Sequence, residues 1–308
     1  MGVGSWSHHQ SEGLIHVASY EQIRADIVEV GRRLWTRGFV ASNDGNISVR
    51  VAPDRILMTP ASVSKGFMSA EMMVVTDLEG AVVEGAPGRK PSSEIQMHLV
   101  AYTQRPDVGA VVHSHPPLST GFAVAGIPLD RAVLAEVVTT LGSIPIADYG
   151  TPSTRELADA VAPYVKVHDG LLLANHGALA LGKDLFGAYY KMETIEHFAR
   201  ISLVARMLGR ERVLSREEVA RLQNLRDRYG IASPAPVCPE PSLDADGDPT
   251  CQVVIAPSSP NERLVTESGP TFPQTGVTVG AGGEIRLTYA QLTAIIDDVV
   301  KEMVKTQA

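Results

Sequence analysis

Three histidines stand where a folded chain could gather them. His113 and His115 flank Ser114 at the end of the apolar run Val108 to His113, and His176 follows the run Gly170 to Asn175 (GLLLAN). In an extended segment alternate side chains share a face, so the two imidazoles of His-Ser-His point the same way. A third ring at the end of a second strand completes a three-nitrogen site with a fourth position open to substrate, the pattern of catalytic rather than structural zinc. An isolated His-x-His is also what two polar residues at a turn look like. The setting of His176, with Gly177 permitting close backbone approach, moves the balance toward a ligand set. Of the nine histidines the other six lack such placement: His8, His9 and His16 lie in an N-terminal segment, and His98, His168 and His197 read as ordinary helix or loop residues.

A second group of residues suits an anion and a proton. Ser92 and Ser93 precede the apolar positions Ile95, Met97, Leu99 and Val100. At a helix start they offer hydroxyls, backbone N–H groups and the positive end of the helix dipole, the environment a phosphate seeks; plain helix capping uses the same features. The segment Ser42-Asn43-Asp44-Gly45-Asn46 offers small polar donors of the same kind, and an ordinary turn has the same composition. Glu94, between an anion pocket and a metal, could shuttle a proton during bond cleavage, or it could simply favour the dipole.

The elements that must carry these residues follow from periodicity. Ile23, Ile27, Val30, Leu34 and Trp35 mark an amphipathic helix over Tyr20 to Arg37. Short strands are expected at Ile47 to Val51, Ile56 to Met58, Met73 to Thr76 and Ala81 to Val83, separated by Gly, Pro and Asp turns. A helix begins after Glu94 and runs to about Thr103. Val108 to His113 and GLLLAN are buried strands, and Thr154 to Val165 and Lys183 to Leu208 are helices, the second with Ala188, Met192, Ile195, Phe198, Ala199 and Leu203 on one stripe. The order indicates an α/β chain folded as a three-layer α/β/α domain.

Composition narrows the function. The 308 residues carry a formal net charge of −8 and no basic stripe for a nucleic-acid backbone. No apolar run approaches the roughly 20 residues needed to span a bilayer, and the first ten residues lack the apolar stretch of a secretory signal, so a cytoplasmic protein is expected. Cys238 and Cys251 both fall in a Pro-rich stretch and suggest neither a disulfide framework nor a thiolate site. That composition divides the chain into an N-terminal extension at 1–19, a core at 20–232, a Pro/Gly-rich linker at 233–286 in which the CQVVIAP piece could add one strand, and a terminal helix at 287–308. In the last segment Thr288 and Gln291 resemble a capping box, and Leu292, Ile295, Ile296, Val299, Val300, Met303 and Val304 form an unbroken apolar stripe.

The motifs as a set resemble the class II aldolase and adducin head-domain family, in the L-fuculose-phosphate aldolase branch: GNISVR at 45–50, TPAS at 59–62, PSSE at 91–94, HSHP at 113–116 and NHG at 175–177, over roughly Tyr20 to Tyr229. The resemblance implies a central mixed or antiparallel sheet, zinc held by His113, His115 and His176, Glu94 as the acid/base residue, and a substrate phosphate held by Gly45, Asn46, Ser92 and Ser93 with the TPAS segment at Ala61 and Ser62. It implies cleavage of a ketose 1-phosphate, foremost L-fuculose 1-phosphate, to dihydroxyacetone phosphate and an aldehyde such as lactaldehyde. Zinc would be the electron sink, so no Schiff-base lysine is needed. Two departures stand out. The family's TPSG or TPTG is TPAS here, so Ala61 lacks a hydroxyl and Ser62 replaces a glycine. The tyrosine that a neighbouring subunit brings to the aldehyde end has no counterpart in Ala132 to Leu141.

The same resemblance implies a fourfold-symmetric homotetramer, and it leaves other members of the scaffold open: rhamnulose-phosphate aldolase, ribulose-phosphate 4-epimerase and methylthioribulose-phosphate dehydratase. The epimerases generally have Asp where this chain has Glu94, which favours cleavage. A non-catalytic, adducin-like assembly module would not need a matched set of ligands and acid/base residue. The linker and terminal helix resemble the encapsulation peptides that carry enzymes into bacterial microcompartments, where shell proteins would be the partners; a short apolar stripe of this kind seeks a groove, which could equally be on its own core. Its polar face, with Asp297, Asp298 and Glu302 beside Lys301 and Lys305, does not suit a membrane surface.

Overall fold

A computed structural model of the chain describes residues 20–229, 231 and 235 and four two-residue strand pieces between 242 and 286. The extension at 1–19, the CQVVIAP piece and the terminal helix at 287–308 lie outside the described residues. Within the stretch read as a linker, Ser242–Leu243 pairs antiparallel with Pro249–Thr250, and Thr278–Val279 with Ile285–Arg286; both ladders belong to a second compact unit.

The first unit is built on strands β1 (Asn46–Ala52), β2 (Arg55–Met58), β3 (Val74–Thr76), β4 (Val82–Glu84), β5 (Ala110–Ser114), β6 (Ile146–Ala147), β7 (Gly170–Leu173) and β8 (Gly177–Gly182). They form one sheet in the order β4-β3-β2-β1-β5-β8-β7-β6. Every pairing is antiparallel except β6 with β7. The helices are α1 (Tyr20–Thr36), α2 (Ile95–Gln104), α3 (Pro117–Ala125), α4 (Ala135–Thr140), α5 (Arg155–Val165), α6 (Leu185–Met207) and α7 (Arg216–Arg228).

Strand alternation sorts the core into two layers. Leu57, Val112, Leu172, Ala178 and Ala180 pack with Ile27 and Leu34 of α1 and with Tyr189, Met192 and Ile195 of α6. Their neighbours Ile56, Met58, Val111, Leu171, Leu173, Leu179 and Leu181 pack with Leu99 and Tyr102 of α2 and with Leu157 and Val161 of α5. Adjacent residues of one strand thus serve opposite faces, and the sheet is covered on both. The expected three-layer α/β/α domain around a mixed sheet is the fold observed.

Several elements escape the sequence reading. The segment GALALG of β8 has small residues in place of β-branched ones, so its strand propensity is low; it is held by pairing with β5 and β7 on either side. Helix α3 has its first N–H groups satisfied from far away: Glu196 accepts from Leu118 N (3.0 Å) and Ser119 N (2.8 Å). No local window contains such a cap. Helix α7 did carry a local signal. Ser215 and Glu218 form a reciprocal capping box, Ser215 N donating to Glu218 Oε2 (2.7 Å) and Glu218 N to Ser215 Oγ (3.3 Å).

Leu171 is fully buried between the sheet and the layer of α2 and α5. Leu171→Ala is expected to cost about 2–5 kcal/mol of stability, read as a lowered urea midpoint with an unchanged slope.

Candidate metal centre

The site is assembled across β1, β5 and β8. The antiparallel register places Asn46 opposite His113, Ser48 opposite Val111, and Ser114 opposite Ala178. Since Ile47, Val49 and Val112 face the α1 and α6 layer, Asn46, Ser48 and His113 face α2. His115 lies one residue beyond β5, with its N–H donated to Phe39 O (2.9 Å). His176 sits in the tight turn between β7 and β8 after Asn175, whose φ is 55°.

The three rings converge, with centroids 4.9, 4.8 and 5.0 Å apart. One ligand atom from each lies within 4.8 Å of the others. His113 is completely buried; its Nδ1–H donates to Ala178 O (2.9 Å), which leaves the Nε2 lone pair facing His115 Nε2 at 3.1 Å. Glu94 closes the group, with Oε2 3.4 Å from His113 Nε2 and Oε1 3.1 Å from His176 Nε2. Asp44 Oδ2 stands 3.3 Å from His115 Nδ1.

Burial drives the His113 pKa well below the ordinary imidazole value, and burial with the neighbouring His176 lowers that of His115. Both rings are therefore neutral and able to donate a lone pair. Burial alone would raise the Glu94 carboxyl, but the hydrogen bonds it accepts from His176 and the Asn46 amide hold it below the usual carboxylate range. The Nδ1 of His176 is buried without a hydrogen-bond partner among the described residues. Three imidazoles, one locked by a carbonyl with its Nε2 turned inward, and one adjoining carboxylate are a donor set that fits a divalent metal of borderline softness such as zinc.

Two glycines make room for this arrangement. A Cβ on Gly177 would meet His115 Cδ2 at 2.6 Å and Ser114 O at 2.7 Å. Gly45 has φ +71°, and a Cβ there would lie 2.8 Å from both His113 O and Val40 Cγ1.

The other sequence-predicted residues lie around Glu94. The TPAS and PSSE segments run side by side: Ser92 N donates to Thr59 O (3.2 Å) and Ala61 N to Lys90 O (3.0 Å), with a bridge between Pro60 and Pro91. Ser62 is exposed at φ 60°, the left-handed region where glycine is at ease. Ser92 Oγ accepts from Glu94 N (3.3 Å), and Ser93 Oγ accepts from Ser153 Oγ (2.6 Å). Glu94 itself is the residue before α2, and its side chain makes no capping bond. Asn46 is buried with its amide engaged, Nδ2 donating to Glu94 Oε2 (2.8 Å) and Oδ1 meeting His98 Nε2. A cleft of about 520 Å³ beside these loops is lined by Trp35, Ser42, Asn43, Ser62, Ser64 and Phe67; the three histidines are not part of its wall.

Two further buried residues bear on the site. His98, read as an ordinary helix residue, is fully buried against Asn46; its i+4 spacing from Glu94 on one helix was the available signal. Lys65 is 2% exposed, with Nζ donating to Asn43 O (3.1 Å) and Val63 O (2.6 Å), so it ties the Ser42 to Asn46 loop to the loop after TPAS. Burial lowers its pKa to about 8. Nothing in its local sequence announces a buried lysine.

Residues 25–203 match the Class II Aldolase and Adducin N-terminal domain family. An L-fuculose phosphate aldolase of Methanococcus maripaludis is 33% identical over 179 residues, 58% of this chain and 95% of its own. A 5-deoxy-D-ribulose 1-phosphate aldolase of Bacillus thuringiensis is 32% identical over 208 residues, 67% of this chain and 96% of its own. A 3-oxo-tetronate 4-phosphate decarboxylase of Pectobacterium atrosepticum is 29% identical over 222 residues, 70% of this chain and 99% of its own. A solved structure of L-fuculose 1-phosphate aldolase superposes with a TM-score of 0.63 at 30% identity, covering 68% of this chain and 100% of that one. Among the described residues no helix is long and apolar enough to cross a membrane.

Gly177→Ala should displace the His115 ring and lower metal affinity about 10–100-fold, measured by equilibrium dialysis against zinc with circular dichroism to confirm the fold. Burial holds the Lys65 pKa at about 8 in the folded chain, against an ordinary lysine value of 10.5. The unfolded chain therefore binds more protons between those values, and stability should rise as pH increases across that window. Lys65→Met should remove that rise, seen by comparing denaturant midpoints of the two proteins from pH 7 to 10.5.

Proposed function

The chain belongs to the class II aldolase and adducin N-terminal domain family and is an aldolase of the lyase class, and on that premise we propose that it cleaves a short ketose 1-phosphate with a zinc ion held by His113, His115 and His176. The observation that carries the reading is the convergence of three imidazoles on one carboxylate, with Glu94 within 3.4 Å of His113 and 3.1 Å of His176. A zinc ion held by these three residues would supply Lewis acidity at the substrate's ketone.

Glu94 handles the proton in this reading. Its ionised carboxylate takes the proton from the hydroxyl on the carbon that becomes the aldehyde, the bond pair passes to the ketone fragment, and the resulting carboxylic acid returns the proton to that fragment's carbon. Burial of the site keeps bulk water from supplying that proton indiscriminately. The phosphate end falls to the loops beside Glu94, through donors of Gly45, Ser62, Ser92 and Ser93 and the main chain near Ala61. Asn46 has its side chain spent on Glu94 and His98, and so serves the site by holding the carboxylate.

The substrate we assign is L-fuculose 1-phosphate, cleaved to dihydroxyacetone phosphate and lactaldehyde. L-Fuculose 1-phosphate, 5-deoxy-D-ribulose 1-phosphate and 3-oxo-tetronate 4-phosphate share one feature: a ketone next to the phosphorylated carbon and a hydroxyl-bearing carbon on its other side. Cutting beyond that carbon leaves dihydroxyacetone phosphate in each case, with lactaldehyde, acetaldehyde or carbon dioxide as the second product. The metal and the carboxylate therefore answer to the common half, and the second half distinguishes the three. The reading includes a homotetramer and an address role for residues 287–308 in a microcompartment; these rest on resemblance and sequence pattern.

Zinc-loaded protein should release dihydroxyacetone phosphate together with lactaldehyde from L-fuculose 1-phosphate, and chelation should abolish turnover until zinc is restored. Glu94→Gln should lower kcat about 10²–10⁴-fold with metal content unchanged. Full activity in metal-free protein would overturn the mechanism, and faster turnover of 3-oxo-tetronate 4-phosphate, with carbon dioxide as the second product, would move the assignment to the decarboxylase chemistry.

A further inference from the structure

Behind Glu94, under α2, lies a row of polar side chains that an apolar core would not need. Ser48 and His98 are fully buried, Tyr102 is 2% exposed and Asn46 3%. Their contacts run in sequence: Tyr102 OH to Ser48 Oγ at 2.8 Å, Ser48 Oγ to His98 Nδ1 at 2.7 Å, His98 Nε2 to Asn46 Oδ1, and Asn46 Nδ2 to Glu94 Oε2 at 2.8 Å.

The direction of donation is fixed from one end. A carboxylate only accepts, so Asn46 must turn its NH₂ to Glu94 and its Oδ1 to the ring. That oxygen only accepts, so His98 carries its proton on Nε2. The bare Nδ1 then accepts from the Ser48 hydroxyl, whose lone pair accepts from Tyr102. With the ring neutral, each partner has one role, and no other assignment satisfies all four contacts. Burial lowers the His98 pKa to about 4, in keeping with a neutral ring.

We propose that His98 is a positioning residue, locked by Ser48 and Tyr102 as the Nε2–H tautomer, which orients Asn46 so that its amide holds Glu94 Oε2 and leaves Oε1 as the oxygen that exchanges the proton. The inference rests on Glu94 being the acid/base residue. With the opposite tautomer two bare acceptors would face each other at Asn46 Oδ1, the amide would turn over, and its oxygen would face the carboxylate. Ser48 and Asn46 share one face of β1, and His98 and Tyr102 of α2 follow Glu94, the residue before that helix, at intervals of four, so strand period and helix period together place all five groups.

The test uses zinc-loaded full chain and L-fuculose 1-phosphate. His98→Leu should lower kcat about a hundredfold with KM and zinc content unchanged. His98→Gln, which sets an amide NH₂ where the ring Nε2–H stands, should recover most of it. In a Glu94→Gln background His98→Leu should have no further effect, since its action passes through the carboxylate. Wild-type activity in His98→Leu, or a loss as large in the Glu94→Gln background as in the wild type, overturns the proposal. Full activity of Glu94→Gln itself would instead overturn the acid/base reading. Should His98→Leu fail to fold, the smaller Ser48→Ala must lower kcat at constant KM. The ring-nitrogen NMR resonances of His98 in the wild type must also report Nε2–H with a bare Nδ1; the reverse tautomer sinks the idea.

Discussion

The pairing of β1 with β5 sets the site. Because Asn46 stands opposite His113, the residue that touches Glu94 and the most deeply buried of the three converging imidazoles project from neighbouring strands onto the same face. A slip of one residue would send His113 into the α1 and α6 layer and bring Val112 under α2. The register is fixed by apolar neighbours: Ile47, Val49 and Val112 on one face, Val111 on the other. Gly45 permits the approach just before β1, where any side chain would strike the His113 carbonyl. Hydrophobic sorting thus does the positioning on which the chemistry depends.

That logic explains which parts could be read from the sequence. The helices α1, α5 and α6 announce themselves by period, and the two strands that deliver His113 and His176 by unbroken apolar runs. His-Ser-His is legible because a strand's period of two is local. What joins His176 to that pair is the β5–β8–β7 pairing, and β8 is weak in strand propensity, so the end of the GLLLAN run suggests a third ligand and the motif set strengthens the link. The cap of α3 by Glu196 and the burial of Lys65 are tertiary facts with no local trace. His98 is an intermediate case. Its spacing from Glu94 was visible, but a lone histidine on an apolar helix face is most often a satisfied core residue, and only Asn46 and Ser48 across the layer give it a partner of consequence.

Ser62 shows how the loops absorb a departure from the family pattern. At φ 60° it stands where a glycine would be unstrained, at a cost of order 1 kcal/mol. The neighbouring main chain is held firmly: Ala61 N is bonded to Lys90 O, and Lys65 ties Val63 O to Asn43 O from beneath. The lost hydroxyl at Ala61 removes a donor from the TPAS segment, while Ser62 brings one back a residue later on the exposed side of the same turn. The path of the loop is set by its backbone bonds, so the side chains presented from it can change without moving PSSE or Glu94.

Lys65 and the row from Tyr102 to Asn46 approach the site from two sides and solve the same physical problem. A cluster of three imidazoles and one carboxylate needs its anion held at a defined angle in a low-dielectric setting, where an unpaired group is costly. Apolar packing alone cannot supply direction. The polar row can, because each of its members has only one arrangement that satisfies its neighbours, and the buried ammonium fixes the loop that carries Asp44 toward His115. Both devices sacrifice core hydrophobicity for orientation. They lie behind Glu94 and His115 and set the angles of those side chains from the interior of the fold.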